Sequence, residues 1–202
     1  MPTPRRPLYL ITDCETTGLD YTHDEAYEIA MIGYDGVKVL FRRFMWVQTT
    51  PGMVISRYTS EANNYHAYLS GEQDHKTPEE ARILLTDQIR AGQYRVGTNA
   101  HHTFLVGSNP SFDKTFIQKA TKMNLQHDGG LPGELVSHKM IDLSNLAMVY
   151  FRSHEPIGQA EIQKRLYLSE QTHGAQQDAE DALQCFITMT RGLMTPLSSA
   201  LP

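Results

Sequence analysis

Residues 8–14 form an apolar run, Leu-Tyr-Leu-Ile-Thr-Asp-Cys, that ends in the acidic and turn-forming stretch Asp13 to Gly18, which predicts a buried strand opening into a loop. Residues 27–33 and 37–47 are apolar and β-branched, and Tyr34-Asp35-Gly36 between them carries an Asp-Gly hairpin signal, so two antiparallel strands are expected. Over 48–76 the pattern dissolves into polar residues with scattered Tyr58, Tyr65 and Tyr68, which predicts a long irregular loop holding a short helix. Thr77-Pro78-Glu79-Glu80 is a capping box with proline at the first helical position, and Ala81, Leu84, Leu85 and Ile89 recur at helical spacing until Gly92. A short strand over 103–107 follows, then a helix with Phe112, Phe116, Ile117 and Ala120 on one face. The remainder reads as a strand over 138–141, helices over 142–150 and 158–166, and a last amphipathic helix marked by Ala175, Ala179, Ala182, Leu183, Phe186 and Met189, closed by Gly192 and Pro196. Strands first and then alternating helices and strands imply an α/β fold, a mixed sheet flanked by helices.

With 202 residues, 40% apolar and 20% charged, the chain is expected to form a single domain over 1–202, with 48–76 as an irregular insertion and 194–202 as a short tail. No apolar run reaches the roughly 18 residues of a membrane helix, and the first seven residues lack the apolar stretch of a signal peptide, so a cytoplasmic protein with no membrane partner is expected. Cys14 and Cys185 have no spacing that suggests zinc or a disulfide scaffold and read as reduced packing residues. The formal net charge of −5 argues against a protein that coats nucleic acid electrostatically, but not against one that acts on it.

The acids change the picture. Asp13 and Glu15 are two apart at a strand end and so share a face, which lets both carboxylates reach one point, and hard cations such as Mg²⁺ or Mn²⁺ take oxygen ligands of this kind. Taken alone, the pair also fits a solvated strand end before a turn. Asn109-Pro110-Ser111-Phe112-Asp113 follows the fourth strand, where Asn109 can cap the helix and Asp113 can sit in its positive first turn. That geometry also aims Asp113 at the carboxyl edge of the sheet, where ligands bind in open α/β folds. His173 precedes the last helix, and Asp178 falls on the same face as Ala182 and Cys185, where a buried carboxylate needs a partner or a metal.

The ordered set of Asp13-Cys14-Glu15-Thr16-Thr17-Gly18-Leu19, then Asn109 to Asp113, then His173 to Asp178 resembles the three motifs of the DEDDh, or DnaQ-like, 3′ to 5′ exonucleases, and spans nearly the whole chain. The resemblance implies a ribonuclease H-like mixed sheet of five strands with strand two antiparallel. It further implies two divalent cations, Mg²⁺ or Mn²⁺, with Asp13 bridging them, Glu15 and Asp178 on the nucleophile side and Asp113 on the other, through water. His173 would deprotonate the attacking water, a task suited to an imidazole that titrates near pH 6.5. Thr16, Thr17, Gly18, Leu19 and Asn109 match positions that approach the terminal nucleotide. The tyrosines of 48–76 fit either of two tasks, stacking on unpaired bases or packing the loop itself.

The function implied is release of nucleoside 5′-monophosphates from single-stranded 3′ ends, with DNA favoured over RNA. An RNase T-like or oligoribonuclease-like exoribonuclease is the alternative, because these motifs read phosphate chemistry and not the 2′-hydroxyl. A non-catalytic polymerase-associated adaptor on the same fold is a third reading, against which the intact set of four acids and His173 speaks. Expected partners are single-stranded nucleic acid 3′ ends, with a polymerase or a second copy of the chain beyond them.

Overall fold

The computed structural model of the chain describes residues 6–53, 55–56, 59, 65–71, 74–123, 125, 135–168 and 174–194. Strand β1 (Leu8–Thr16) pairs antiparallel with β2 (Ala26–Tyr34), which pairs antiparallel with β3 (Val39–Val47). The β2–β3 turn follows the Asp-Gly signal. Asp35 Oδ1 accepts from the N–H groups of Val37 and Lys38 at 2.9 and 2.7 Å, and Gly36 takes a φ of 86° that a side chain would resist.

Helix α1 (Tyr65–Leu69) and strand β4 (His75–Lys76) follow, then α2 (Pro78–Val96), a 3₁₀ turn, β5 (Thr103–Gly107) and α3 (Pro110–Thr121). The chain continues through β6 (Met140–Asp142), α4 (Leu143–Phe151), α5 (Gln159–Arg165) and α6 (Ala175–Met194). The sheet order is β4-β3-β2-β1-β5-β6, with β5 and β6 parallel to β1 and β4 parallel to β3. The mixed sheet with antiparallel β2 is therefore as the sequence predicts, but among the described residues it has six strands where five are expected. The extra one is β4, inside the stretch read as irregular. Two residues are too few to show a period of two, so no pattern announces it.

Alternation along the strands splits the core between the two faces. Leu8, Leu10, Ile29, Met31 and Leu105 pack with Ala81, Leu85 and Ile89 of α2 and with Phe116 and Ile117 of α3. On the other face Ile11, Ala30, Ile32 and Val106 meet α4, α5 and α6 through Ala147, Ile162, Ala179, Leu183 and Phe186. Each face of β1 thus belongs to a different helical layer, and β2 is buried along its whole length.

Two glycines read as helix ends are interior instead. At Gly92 a Cβ would stand 3.1 Å from Leu8 and 3.2 Å from Phe41, so the glycine lets α2 lie close on the sheet, and the helix runs on to a left-handed cap at Gly97. At Gly192 a Cβ would fall 2.5 Å from the Tyr150 ring, so α6 continues past it to Met194; Pro196 lies outside the described residues. The capping box at Thr77 forms in both directions. Among the described residues, no helix is long and apolar enough to cross a membrane.

Within 48–76, Tyr65 and Tyr68 are buried in an aromatic cluster with Tyr27 and Trp46, and Tyr68 stacks on His75 at 4.4 Å between centroids. The Tyr68 hydroxyl also accepts from the Thr49 N–H at 3.0 Å. These two rings are packing residues, which decides between the two tasks open to them; Tyr58 lies outside the described residues. Tyr68→Ala is expected to destabilise the fold by about 3 to 5 kcal/mol, and Tyr68→Phe by about 1 kcal/mol through loss of the hydroxyl contact. Urea unfolding checks both. A base-stacking tyrosine would instead leave the midpoint unchanged and weaken single-strand binding.

Candidate active site

Strand alternation places Asp13 and Glu15 on the β1 face that α6 covers, and Cys14 on the opposite face with the α2–α3 core. Asp178 comes from the first turn of α6, on the helix face that also buries Ala175, Ala179 and Ala182. One carboxylate oxygen from each of Asp13, Glu15 and Asp178 lies within 4.8 Å of the others. Asp113, in the first turn of α3, reaches the same strand from the other layer: its Oδ1 accepts from the Cys14 N–H at 3.1 Å and from the Cys14 thiol at 3.3 Å. Gly107 makes room for it, since a Cβ there would stand 3.0 Å from the Thr12 carbonyl and 3.4 Å from Asp113 Oδ2.

Crowding of acids in a buried place sets their proton affinity. Burial pushes Asp113 up to about 7 from an ordinary 3.8, against the pull of its bonds from Cys14. Asp13 is raised well above its ordinary range, first by burial and then by the charges of Asp113, Asp178, Glu15 and Glu28. Such acids ionise together only if positive charge joins them, and an all-oxygen donor set of this kind suits hard divalent cations.

The turn after β1 is braced from several directions. Thr17 Oγ1 donates to Asp24 Oδ1 at 3.1 Å and accepts from the Glu25 N–H at 3.0 Å, while Thr16 Oγ1 donates to the Gly18 carbonyl at 2.6 Å. Both threonines are buried, so their hydroxyls hold the turn rather than face a ligand. Gly18 lets the Asp24 carboxylate close over it, since a Cβ would fall 2.4 Å from Asp24 Oδ2. Lys119 of α3 donates to the Asp24 carbonyl at 2.7 Å. From the stretch read as an insertion, the Ser56 N–H donates to the Thr17 carbonyl at 2.8 Å and the Thr59 hydroxyl to the Thr16 carbonyl at 3.0 Å. Leu19, at the tip, is 79% exposed and presents its side chain outward.

Asn109 departs from its expected capping role. It stands at the N-cap of α3 with φ 95° and ψ 57°, and its side chain accepts from Ser111 Oγ at 2.7 Å instead of capping the helix. A left-handed asparagine in an exposed position beside the acids is strained backbone of the kind found at functional sites. His173 lies outside the described residues; Gly174, next in sequence, accepts the Asp178 N–H at 2.9 Å. Sequence reasoning missed Glu28, buried on β2 in direct register with Glu15. A charged residue in an otherwise apolar strand, Ala26–Tyr34, is the signal that would have found it.

By sequence, neither a protein-family model nor a curated protein matches the chain. Solved structures do. The chain is similar to E. coli exonuclease I bound to single-stranded DNA with zinc, at 14% identity and a TM-score of 0.69, over 95% of this chain and 41% of that one. It is similar to a 3′-exonuclease solved in recognition of the 3′ end of histone mRNA stem-loop, at 10% identity and TM-score 0.65, over 94% and 84%. Cell-death related nuclease 4 matches at 13% identity and TM-score 0.63, over 93% and 64%. The chain shares the fold of these solved structures. It spans about two-fifths of exonuclease I and just under two-thirds of the cell-death related nuclease.

The buried acids of this site predict how stability depends on pH. Because Asp113 is raised to about 7 from 3.8, the folded chain keeps a proton that the unfolded chain has released between those values. Its contribution is therefore full below about pH 3.8 and is lost as pH rises through about 7. Chelator-treated protein is expected to melt at a lower temperature at pH 8 than at pH 5.5, with a smaller difference in Asp113→Asn. Differential scanning calorimetry checks this, and an equal slope in the variant would remove Asp113 as the source.

Proposed function

We propose that the chain is a metal-dependent 3′ to 5′ exonuclease, a single domain that hydrolyses phosphodiester bonds at single-stranded 3′ ends and releases nucleoside 5′-monophosphates, with DNA favoured over RNA. The observation that carries the reading is the convergence of Asp13, Glu15 and Asp178 within 4.8 Å, with Asp113 bonded to the residue between the first two. These four residues would hold two divalent cations, Mg²⁺ or Mn²⁺. When bound, such cations stabilise the charge that develops on the phosphoryl oxygens and the departing 3′ oxygen.

The chain's own residues carry the other tasks. His173 takes the proton of the attacking water, Leu19 offers apolar surface to the terminal base, and the backbone of the braced turn through Thr16, Thr17 and Gly18 meets the last nucleotide alongside Asn109. A cytoplasmic setting is part of the proposal, and the two cysteines, Cys14 and Cys185, are both free and buried. An RNA substrate is the second reading. It is favoured by the 3′-exonuclease named for histone mRNA recognition, whose length this chain covers to 84%.

Digestion of matched, labelled DNA and RNA oligomers separates the two substrates. Mononucleotides are expected from linear single strands in Mg²⁺ or Mn²⁺, none in excess EDTA, and a circular single strand is expected to survive. Internal cleavage of the circle would make the chain an endonuclease. Asp13→Asn is expected to lose nearly all turnover while melting at or above the wild-type temperature without metal, because one of several mutually repelling acids is removed.

His173→Ala is expected to lower turnover by roughly 10² to 10⁴, the contribution of a positioned general base, with little change in cation or substrate affinity. Turnover and melting temperature are measured on one preparation. A fall in turnover under about threefold would take the base assignment away.

A further inference from the structure

At the end of β1 opposite to Asp13 and Glu15 lies a cavity of about 560 Å³ that no step above uses. Arg6, Lys38 and Arg95 line it together with Asp35 and the apolar Val39 and Val96. Three parts of the fold bring the cations there: Arg6 leads into β1, Lys38 closes the β2–β3 turn and Arg95 lies in the last turn of α2. Asp35, the one acid of the lining, is buried and turned to the backbone, since its Oδ1 accepts from the Val37 and Lys38 N–H groups. Arg95 Nη1 donates to the Leu40 carbonyl at 3.0 Å, which fixes its guanidinium against β3. Among the described residues, the Arg6 and Lys38 side chains have no hydrogen bond or ion pair. Three cations in one concavity stand out on a chain of formal net charge −5, and low-dielectric walls focus the field that they make.

The open edge of β3 leads from this cavity toward the acids. Among the described residues, β4 pairs only with Trp46 and Val47, so the stretch from Leu40 to Met45 has no strand outside it. Arg43 lies on that stretch. It stands opposite Met31, which in turn stands opposite Thr12, so it is level with the residue before Asp13. Its Nε is buried with no partner. Positive charge thus continues from the cavity up the sheet to the end where the acids gather. Asp13 follows Arg6 by seven positions, about 23 Å of extended chain at roughly 3.3 Å per residue. Stacked at roughly 3.4 Å each, about seven nucleotides cover that span.

We propose that the cavity of Arg6, Lys38 and Arg95 is a second nucleic-acid site, which takes backbone phosphates of the substrate strand upstream of the 3′ end that the acids hold. The proposal rests on the reading of the chain as an enzyme of single strands. Guanidinium and ammonium groups are donors with no acceptor, so they suit phosphate oxygens and position a strand without reading its bases.

Two thymidylate oligomers, a 20-mer that reaches the cavity and a 3-mer that does not, test this on the full chain. Binding of the labelled 20-mer in EDTA is followed by fluorescence anisotropy across a range of salt concentrations, and hydrolysis of both oligomers is followed in Mn²⁺. The double variant Arg6→Ala with Lys38→Ala is expected to bind the 20-mer about tenfold more weakly. Its salt slope is expected to be shallower by about 1.4, the share of two single-strand phosphate contacts. In hydrolysis its KM for the 20-mer is expected to rise about tenfold with kcat unchanged, while its KM for the 3-mer stays within about twofold of wild type. Lys38→Glu alone is expected to move the 20-mer in the same direction, and it decides the matter if the double variant does not fold.

Unchanged 20-mer affinity and salt slope overturn the proposal. So does a KM that rises equally for both oligomers, because the cations then act as a general field and not as a distant site. A wild-type chain that binds no 20-mer overturns it as well. A wild-type chain that binds the 20-mer but hydrolyses neither oligomer overturns the exonuclease reading instead, and the anisotropy of the variants still decides the second site.

Discussion

Repulsion among carboxylates held close together in a buried place is the constraint around which this fold is arranged. Asp13 feels the charges of Asp113, Asp178, Glu15 and Glu28, and burial denies all of them the full screening of water. Left on loops, such acids would swing apart. Here each is fixed by an element that the core already holds: two by β1, one by β2, and one each by the first turns of α3 and α6. The first turns bring their own compensation, because their unpaired N–H groups and dipoles favour negative charge.

The two helical layers have separate parts in this. Cys14 faces one layer and holds Asp113 there, while Asp13 and Glu15 face the other and meet Asp178. The period-two alternation of a single strand is thus what gathers acids from opposite sides of the sheet to one edge. The segment between β3 and α2 adds to the wall, since Ser56 and Thr59 bind the carbonyls of Thr17 and Thr16.

The long periodic elements and four of the five acids are legible in the sequence, Glu28 being the exception, because each leaves a local mark: an apolar run before Asp13, a capping box at Thr77, a helical stripe through Ala179 and Phe186. Strand β4 is not, being two residues whose place is decided by pairing with Trp46 and Val47. Gly92 and Gly192 misled for a physical reason. Glycine ends a helix where the backbone must turn left-handed, but here it is used where a ring or a leucine comes too close for a Cβ. Likewise Thr16 and Thr17, which the motif singles out for a nucleotide, spend their hydroxyls on the turn itself, and only three-dimensional contacts reveal that.

The edges of the sheet carry one more consequence. Among the described residues the strand outside β3 is β4, which pairs only with Trp46 and Val47, so most of β3 is itself a sheet edge. That edge carries Arg42 and Arg43, charged residues of the kind that discourage edge-to-edge aggregation.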